Sequence, residues 1–278
     1  MLRRILALTS AVLCLTLARP LAPVAAAEDE ETPESAVSSP PMEMDDPATP
    51  GRRGIEINFV GTHVRAGLGR TFESLLDANY GIGDRIQLKY ERPYVSAGEV
   101  GSTYQRGLGA TEIGVKWRFV DHDGLAIAAY PQYSFNDGFT PKDENGDPEA
   151  TEGRSAYFPL LLSQSVHRIY TAALNLGFRR NLENYGDDIT MAVGGGRAIG
   201  GSQRLLVELF SERDSDLRNR QTDVRAGYCL ELFPKTMEKS HWEIPAYVSI
   251  GHSVGATESG ETTTSVTFGI SMIRKAAE

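Results

Sequence analysis

Arg85-Ile86-Gln87-Leu88-Lys89-Tyr90-Glu91 alternates polar and apolar residues without interruption, and Glu112-Ile113-Gly114-Val115-Lys116-Trp117-Arg118-Phe119 does the same. Successive side chains of a strand point to opposite faces, so this period of two marks a strand with one wet side and one apolar side. The pattern returns in Thr171 to Phe178, Asp223 to Leu232 and Val266 to Met272. Working outward from these stretches gives about twelve segments: 54–62, 70–80, 85–95, 109–120, 125–136, 156–166, 169–180, 187–198, 203–212, 222–233, 241–252 and 263–274. No helical periodicity of useful length interrupts them.

Connection lengths distinguish a soluble sandwich from a membrane barrel. Short turns follow the second, fourth, sixth and eighth segments, at Gly81 to Asp84, Asp121 to Gly124, His167-Arg168 and Ile199 to Ser202. Longer polar connections follow the third, fifth, ninth and eleventh, the longest running from Asp137 to Arg154. Short periplasmic turns alternating with long external loops on an even strand count is the layout of transmembrane barrels. The expected fold is therefore an all-β, antiparallel up-and-down transmembrane barrel of about twelve strands. Odd strands running outward would place Tyr80, Trp117, Phe119, Tyr170 and Trp242 at the periplasmic interface, and Phe72, Tyr90, Tyr94, Phe135 and Phe178 at the external one, as two aromatic girdles. Pro131 and Pro159 each remove a ladder donor, which predicts a bulge or frayed rim beside the long loop.

The ends of the chain carry other signals. Arg3 and Arg4 precede a short apolar run from Ile5 to Leu17, and Ala25-Ala26-Ala27 offers a small-residue cleavage site. Residues 1–27 thus read as a signal peptide, which places the mature chain in the outer membrane of a Gram-negative-type envelope. Residues 28–53 are rich in acids, Pro and Ser and read as a disordered linker, leaving 54–278 for the barrel. Loss of the three leader arginines leaves 25 basic against 37 acidic residues, a net charge of −12 that argues against nucleic acid as a partner. The expected partners are outer-membrane lipid, the barrel assembly machinery and a small-molecule solute.

No chemical site emerges. His63, His122, His167, His241 and His252 lack a second ligand at zinc spacing, and Cys229 stands alone once Cys14 leaves with the leader. No catalytic residue, metal or cofactor is therefore assigned. His252-Ser253 resembles half of a lipid-hydrolysing pair, yet adjacent strand residues point to opposite faces. Gly194-Gly195-Gly196-Arg197 lacks the Lys and helix of a phosphate loop. Asp143 to Asp147 begins like a calcium loop but has Pro148 where the motif needs Gly.

The inward face is more informative. Alternation assigns to the lumen Glu73, Asp77, Arg85, Lys89, Glu91, Glu112, Lys116, Arg118, Arg179, Glu208, Asp223, Arg225 and Glu231. Mixed charges of this kind suit either a wet pore or a salt-bridge network that fills a closed barrel. In the second and third segments, a loop closing on Gly81 and Arg85 would set Asn79 opposite Gln87 and Asp77 opposite Lys89.

The runs YGIGDRIQLKYERPYV (80–95), GLGATEIGVKWRFV (107–120), AIAAYPQYSF (126–135) and YFPLLLSQS (157–165) resemble the "MetA-pathway of phenol degradation" family of outer-membrane proteins. The likeness covers most of residues 70–180 and fades beyond. It implies a membrane barrel that moves small, aromatic or hydrophobic molecules, and supplies no catalytic residues. Ala110-Thr111 stands where an acid often follows the family's Gly-Leu-Gly turn, and the chain ends Arg274 to Glu278 without a terminal Phe. The expected function is an outer-membrane channel or transporter for small molecules. A non-conducting surface barrel is the alternative, and a lipid-modifying barrel enzyme is a third.

If the apolar face meets lipid, the protein fractionates with outer membranes and runs anomalously on gels when unheated. Val115→Arg, near the middle of that face, then destabilises the barrel by roughly 2–4 kcal/mol in a denaturant titration in lipid, and a cost near zero would contradict the assignment.

Overall fold

The computed structural model describes residues 42–274, apart from 136, 140–152, 167–168, 184–185, 201, 233–241 and 255–260. Residues 1–41, which include the leader and the first part of the acidic linker, lie outside the described residues, as does the Asp143–Asp147 run. The elements are β1 (Ile55–Ala66), β2 (Gly69–Gly83), β3 (Ile86–Glu99), β4 (Gln105–Leu108), β5 (Thr111–His122), β6 (Leu125–Ala129), β7 (Gln132–Phe135) and β8 (Ser155–Val166). They continue with β9 (Tyr170–Asn181), β10 (Asp188–Gly200), β11 (Gln203–Asp214), β12 (Asn219–Glu231), β13 (Trp242–Glu243), β14 (Pro245–Ser253) and β15 (Thr263–Arg274).

All described neighbours pair antiparallel, and β1 pairs β15 from Ile55↔Arg274 to Ala66↔Thr263, which closes the sheet. Three staves are interrupted: β4 with β5, β6 with β7, and β13 with β14. The fifteen strands therefore form a closed barrel of twelve staves. Pro131 explains one interruption, since it has no N–H to donate. Its carbonyl still accepts from Val115 N at 3.0 Å, and Tyr130 N donates to Pro159 O at 3.0 Å, so pairing continues through the gap. The end of the barrel where β1 begins and β15 finishes is termed here the terminal end, and the opposite one the loop end.

The faces are inverted relative to a water-soluble protein. On β5, Trp117 is 55% exposed while its neighbour Lys116 is 4% exposed. Phe59, Leu76, Leu88, Ile113, Val115, Phe158, Leu176, Val207, Ile250 and Phe268 also stand exposed on the outside, whereas Asn58, Asn79, Gln87, Asn175, Glu208 and Arg225 are buried within. That is the partition required when the exterior solvent is hydrocarbon and the interior holds polar groups. Tyr80, Trp117 and Phe119 face outward toward the terminal end, and Phe72, Tyr94, Phe135 and Phe178 toward the loop end. Tyr90 departs from expectation: it pairs with Ala78 and Ile113, one same-face step from the row of Tyr80 and Leu88, and so lies nearer the terminal end.

The β2–β3 register also corrects the sequence reading. The hairpin closes on Gly83 and Ile86 with Asp84-Arg85 as its turn, and Ile82 bulges out of the ladder. This moves the pairing by two residues, so Asn79 meets Lys89 and Asp77 meets Glu91. A bulge inserts one unpaired residue, which alternation alone does not reveal because the inward and outward sets stay intact. Arg85 consequently sits exposed in the turn and does not line the lumen.

At the β4–β5 interruption, Arg92 on β3 meets Asp137 just beyond β7. Thr111 N donates to Asp137 Oδ1 at 3.0 Å, Arg92 Nη1 donates to Asp137 Oδ2 at 2.6 Å, and Arg92 also bonds the Thr111 hydroxyl. The Thr111 amide and then the Arg92 guanidinium hold the Asp137 carboxyl down to about 2. A depressed carboxyl contributes fully above its ordinary range near 4, and the contribution is lost as pH falls through the depressed value. An NMR titration of the Thr111 amide should accordingly show its midpoint at about 2. A midpoint near 4 would mean that the clamp is not formed.

Candidate functional site: the lumen and its occupying segment

Residues 42–53 do not trail away from the barrel. From Met42 onward the segment expected as disordered linker lies inside it, with Met44, Asp46 and Pro47 buried. Its acids and prolines are poor in apolar surface, which is why composition alone read it as disordered. The barrel supplies what the segment lacks, a polar cradle already held in place by the strands.

The segment enters at the terminal end. Arg53 N donates to Gly81 O at 2.8 Å, and Thr49 Oγ1 donates to Asp84 O at 2.9 Å. Gly81 is needed here because a Cβ at that position would fall 1.7 Å from the carbonyl oxygen of Gly51. Deeper in, Lys116 Nζ donates to Asp46 O at 2.9 Å and Ala48 O at 3.4 Å, and lies 3.8 Å from the Asp45 carboxylate. Asn175 Nδ2 donates to Asp45 O at 3.0 Å. On the far wall, Glu208 accepts from Met44 N at 2.7 Å and Glu43 N at 3.3 Å, while Arg225 pairs with Glu43 at 2.7 Å and Asp223 at 3.2 Å. Met44 packs on Ala173, Ala192 and Leu206. The Gly194-Gly195-Gly196 run belongs to β10, and a Cβ at Gly194 would come within 3.2 Å of Met44 Cε.

These contacts explain how buried charges persist. A carboxylate such as Glu208, 3% exposed, is tolerable inside only when donors satisfy it, and two amides plus a guanidinium surround this one. A second network lies on β1, β2, β3 and β5. Asp77 and Glu91 face each other, and Lys89 sits 2.5 Å from Glu91 and 3.0 Å from Glu112. Asn58 Nδ2 donates to Asp77 at 2.8 Å, and Gln87 Nε2 donates to Asn79 Oδ1 at 2.6 Å. The Tyr130 ring lies 4.6 Å from Lys116 Nζ and 5.6 Å from Lys89 Nζ.

Beside the segment remains a cavity of about 770 Å³. The structure places Glu73, Asp77, Lys89, Glu91, Glu112, Lys116, Arg179, Arg225 and Glu231 against it. Glu208 and Asp223 are inside but are engaged with the segment and with Arg225. Arg118 lies at the terminal rim, donating to Asp84 O at 3.0 Å and pairing with Asp121. Sequence reasoning missed Glu56, Arg204, Glu212 and the segment's own Glu43, Asp45 and Asp46, all of which line the cavity. Carrying the alternation through the whole of segments 54–62 and 203–212 would have found the first three; nothing in the sequence signalled the rest. His252 and Ser253 are not brought together: His252 faces out and bonds Thr264 Oγ1 at 2.9 Å, while buried Ser253 accepts from Thr263 N at 2.7 Å.

These features define a transmembrane β-barrel with a polar, partly occupied lumen. Among solved structures the chain is similar to the COG4313 outer membrane channel from Pseudomonas putida F1, at 10% identity over 85% of this chain and 100% of that one, TM-score 0.64. It is likewise similar to the beta domain of the Bordetella autotransporter Brka (11% identity, 80% and 99% covered, TM-score 0.56) and to the NanC porin (9% identity, 77% and 98% covered, TM-score 0.53). At such identities the likeness establishes the fold, that of outer-membrane barrels. The chain matches no family model and no curated protein.

Glu208→Ala would strip two backbone amides of their acceptor, at roughly 1–3 kcal/mol for leaving buried donors unpaired. In a Cys229→Ser background, a Met44→Cys thiol should then react faster with a water-soluble maleimide than it does with Glu208 in place. Equal rates would show that Glu208 does not hold the segment.

Proposed function

We propose that this protein is a passive outer-membrane channel for small molecules, with its conducting path restricted by residues 42–53. The observation that carries the reading is the cavity of about 770 Å³ running beside the segment inside a closed barrel, in place of a fully packed interior. Its wall presents eleven carboxylates, three of them from the segment, against five cationic side chains. An acidic wall of low local dielectric raises the concentration of cations and repels anions. Tyr130, Tyr157 and Phe210 on the same wall, together with the resemblance of residues 70–180 to the phenol-degradation outer-membrane family, support small aromatic molecules among the solutes. The lipid-matched outer face and the leader-like residues 1–27 support an outer-membrane location.

The segment's docking favours a second state, in which the barrel stays closed until residues 42–53 move. Planar-bilayer recording of the full chain beside a variant lacking residues 28–50 separates the readings. A channel predicts small, cation-selective steps from the full chain and larger ones from the deletion, with reversal potentials in a KCl gradient of the sign set by K⁺. A deletion variant that inserts and conducts nothing would identify a non-conducting barrel.

A further inference from the structure

The outer face is not uniform. Register across β15, β1, β2, β3 and β4 lays out one row as Phe268–Gly61–Ser74–Tyr94–Leu108, large, small, small, large, large. The two small residues form the floor of a groove of about 770 Å³ on the outer wall, flanked by Phe59, Phe72, Tyr94 and Phe268. Gly61 cannot be enlarged without moving the Phe268 ring, since a Cβ there would lie 2.7 Å from it. The groove therefore has a built floor and built aromatic walls, open toward the hydrocarbon.

At its loop end the same register places three arginines. Arg65 on β1 is directly opposite Arg70 on β2, both facing outward, and Arg106 lies one same-face step from Leu108 toward the loop end of β4. Like charges directly opposite one another are unfavourable unless an anion lies between them. Arg70 donates to the carbonyls of Gly67 and Gly69, and among the described residues Arg65, Arg70 and Arg106 make no ion pair. Glu261 lies over Gly67 at this corner and Glu99 pairs with Gly69, so among the described residues three guanidinium groups stand beside two carboxylates. In a mature chain of net charge −12, whose cavity wall is mostly acidic, this concentration of positive charge on the outside stands apart.

We propose that this face binds a phosphorylated lipid of the surrounding leaflet, its acyl chain in the Gly61–Ser74 groove and its phosphate on Arg65, Arg70 and Arg106. Guanidinium forks match phosphate oxygens in pairs, and a phosphate between Arg65 and Arg70 converts their repulsion into attraction. The groove supplies the apolar half of the same ligand, which distinguishes a lipid from a free anion. Arg92, which also lines the groove, is already committed to Asp137 and Thr111 and is a fixed wall.

The test uses the full chain in phosphatidylcholine nanodiscs carrying either bis-phosphorylated lipid A or the same lipid enzymatically dephosphorylated. Native mass spectrometry after detergent release counts the lipid A retained per barrel. The proposal expects the phosphorylated form to be retained at least about tenfold better. Arg65→Gln with Arg70→Gln should lower retention by about tenfold, as should Ser74→Phe, which fills the groove with the arginines intact. Arg180→Gln, at an exposed outward position on β9, should leave it unchanged. Heat-dependent gel mobility confirms that each variant is folded, and the comparison of the two lipids on the unaltered chain needs no variant. Equal retention of both lipids, equal loss with Arg180→Gln, or complete displacement by millimolar inorganic phosphate would overturn the proposal.

Discussion

Everything in this barrel depends on closure of the sheet between β1 and β15. Hydrocarbon offers no hydrogen bonds, so an open sheet edge in a membrane would strand a row of amides and carbonyls at several kcal/mol each. The ladder from Ile55↔Arg274 to Ala66↔Thr263 removes that edge. Once the wall is closed, alternation has only one solution: large apolar side chains outward and polar ones inward. The interior is then crowded with charge that cannot reach lipid, and its disposition becomes the main question of the fold.

That charge is used to hold a piece of the chain. Lys116, Asn175, Glu208 and Arg225 come from four different strands, and each bonds to the main chain or a carboxylate of residues 43–48. A connected network of this kind fixes one arrangement, because removing any member leaves a buried partner without its bond. The sign of the remaining charge is acidic on the cavity wall, while Arg65, Arg70 and Arg106 stand outside. Separating the signs across a single layer of strands gives the lumen and the outer rim opposite electrostatic character without any change of fold.

The alternation in Arg85 to Glu91 and Glu112 to Phe119 carried the strand count, the choice of faces and most of the cavity wall. Period two is set by backbone geometry and survives any local error in pairing. The pairing itself was less legible. The turn at Asp84-Arg85 together with the bulge at Ile82 shifted β2 against β3 by two residues, put Glu91 opposite Asp77 and left Arg85 in the turn. Nothing in Gly81-Ile82-Gly83 distinguishes a bulge from a longer turn, since glycine permits both. The lumenal segment was illegible for a different reason. Its order comes from partners more than a hundred residues away, such as Glu208 for Met44 and Asn175 for Asp45, and composition reports only what a segment can bury by itself.

The position of residues 42–53 decides how the lumen is occupied, and photo-methionine in place of methionine tests it most directly. Upon irradiation of the protein in native membranes, Met44 should cross-link to the strands bearing Ala173, Ala192 and Leu206, with peptides mapped by mass spectrometry. Met272, exposed on the outer face, serves as the internal control that reacts with lipid. Cross-links from Met44 to those three strands would establish the segment inside the barrel. Labelling of Met44 by water or lipid alone, with Met272 behaving as expected, would contradict the account.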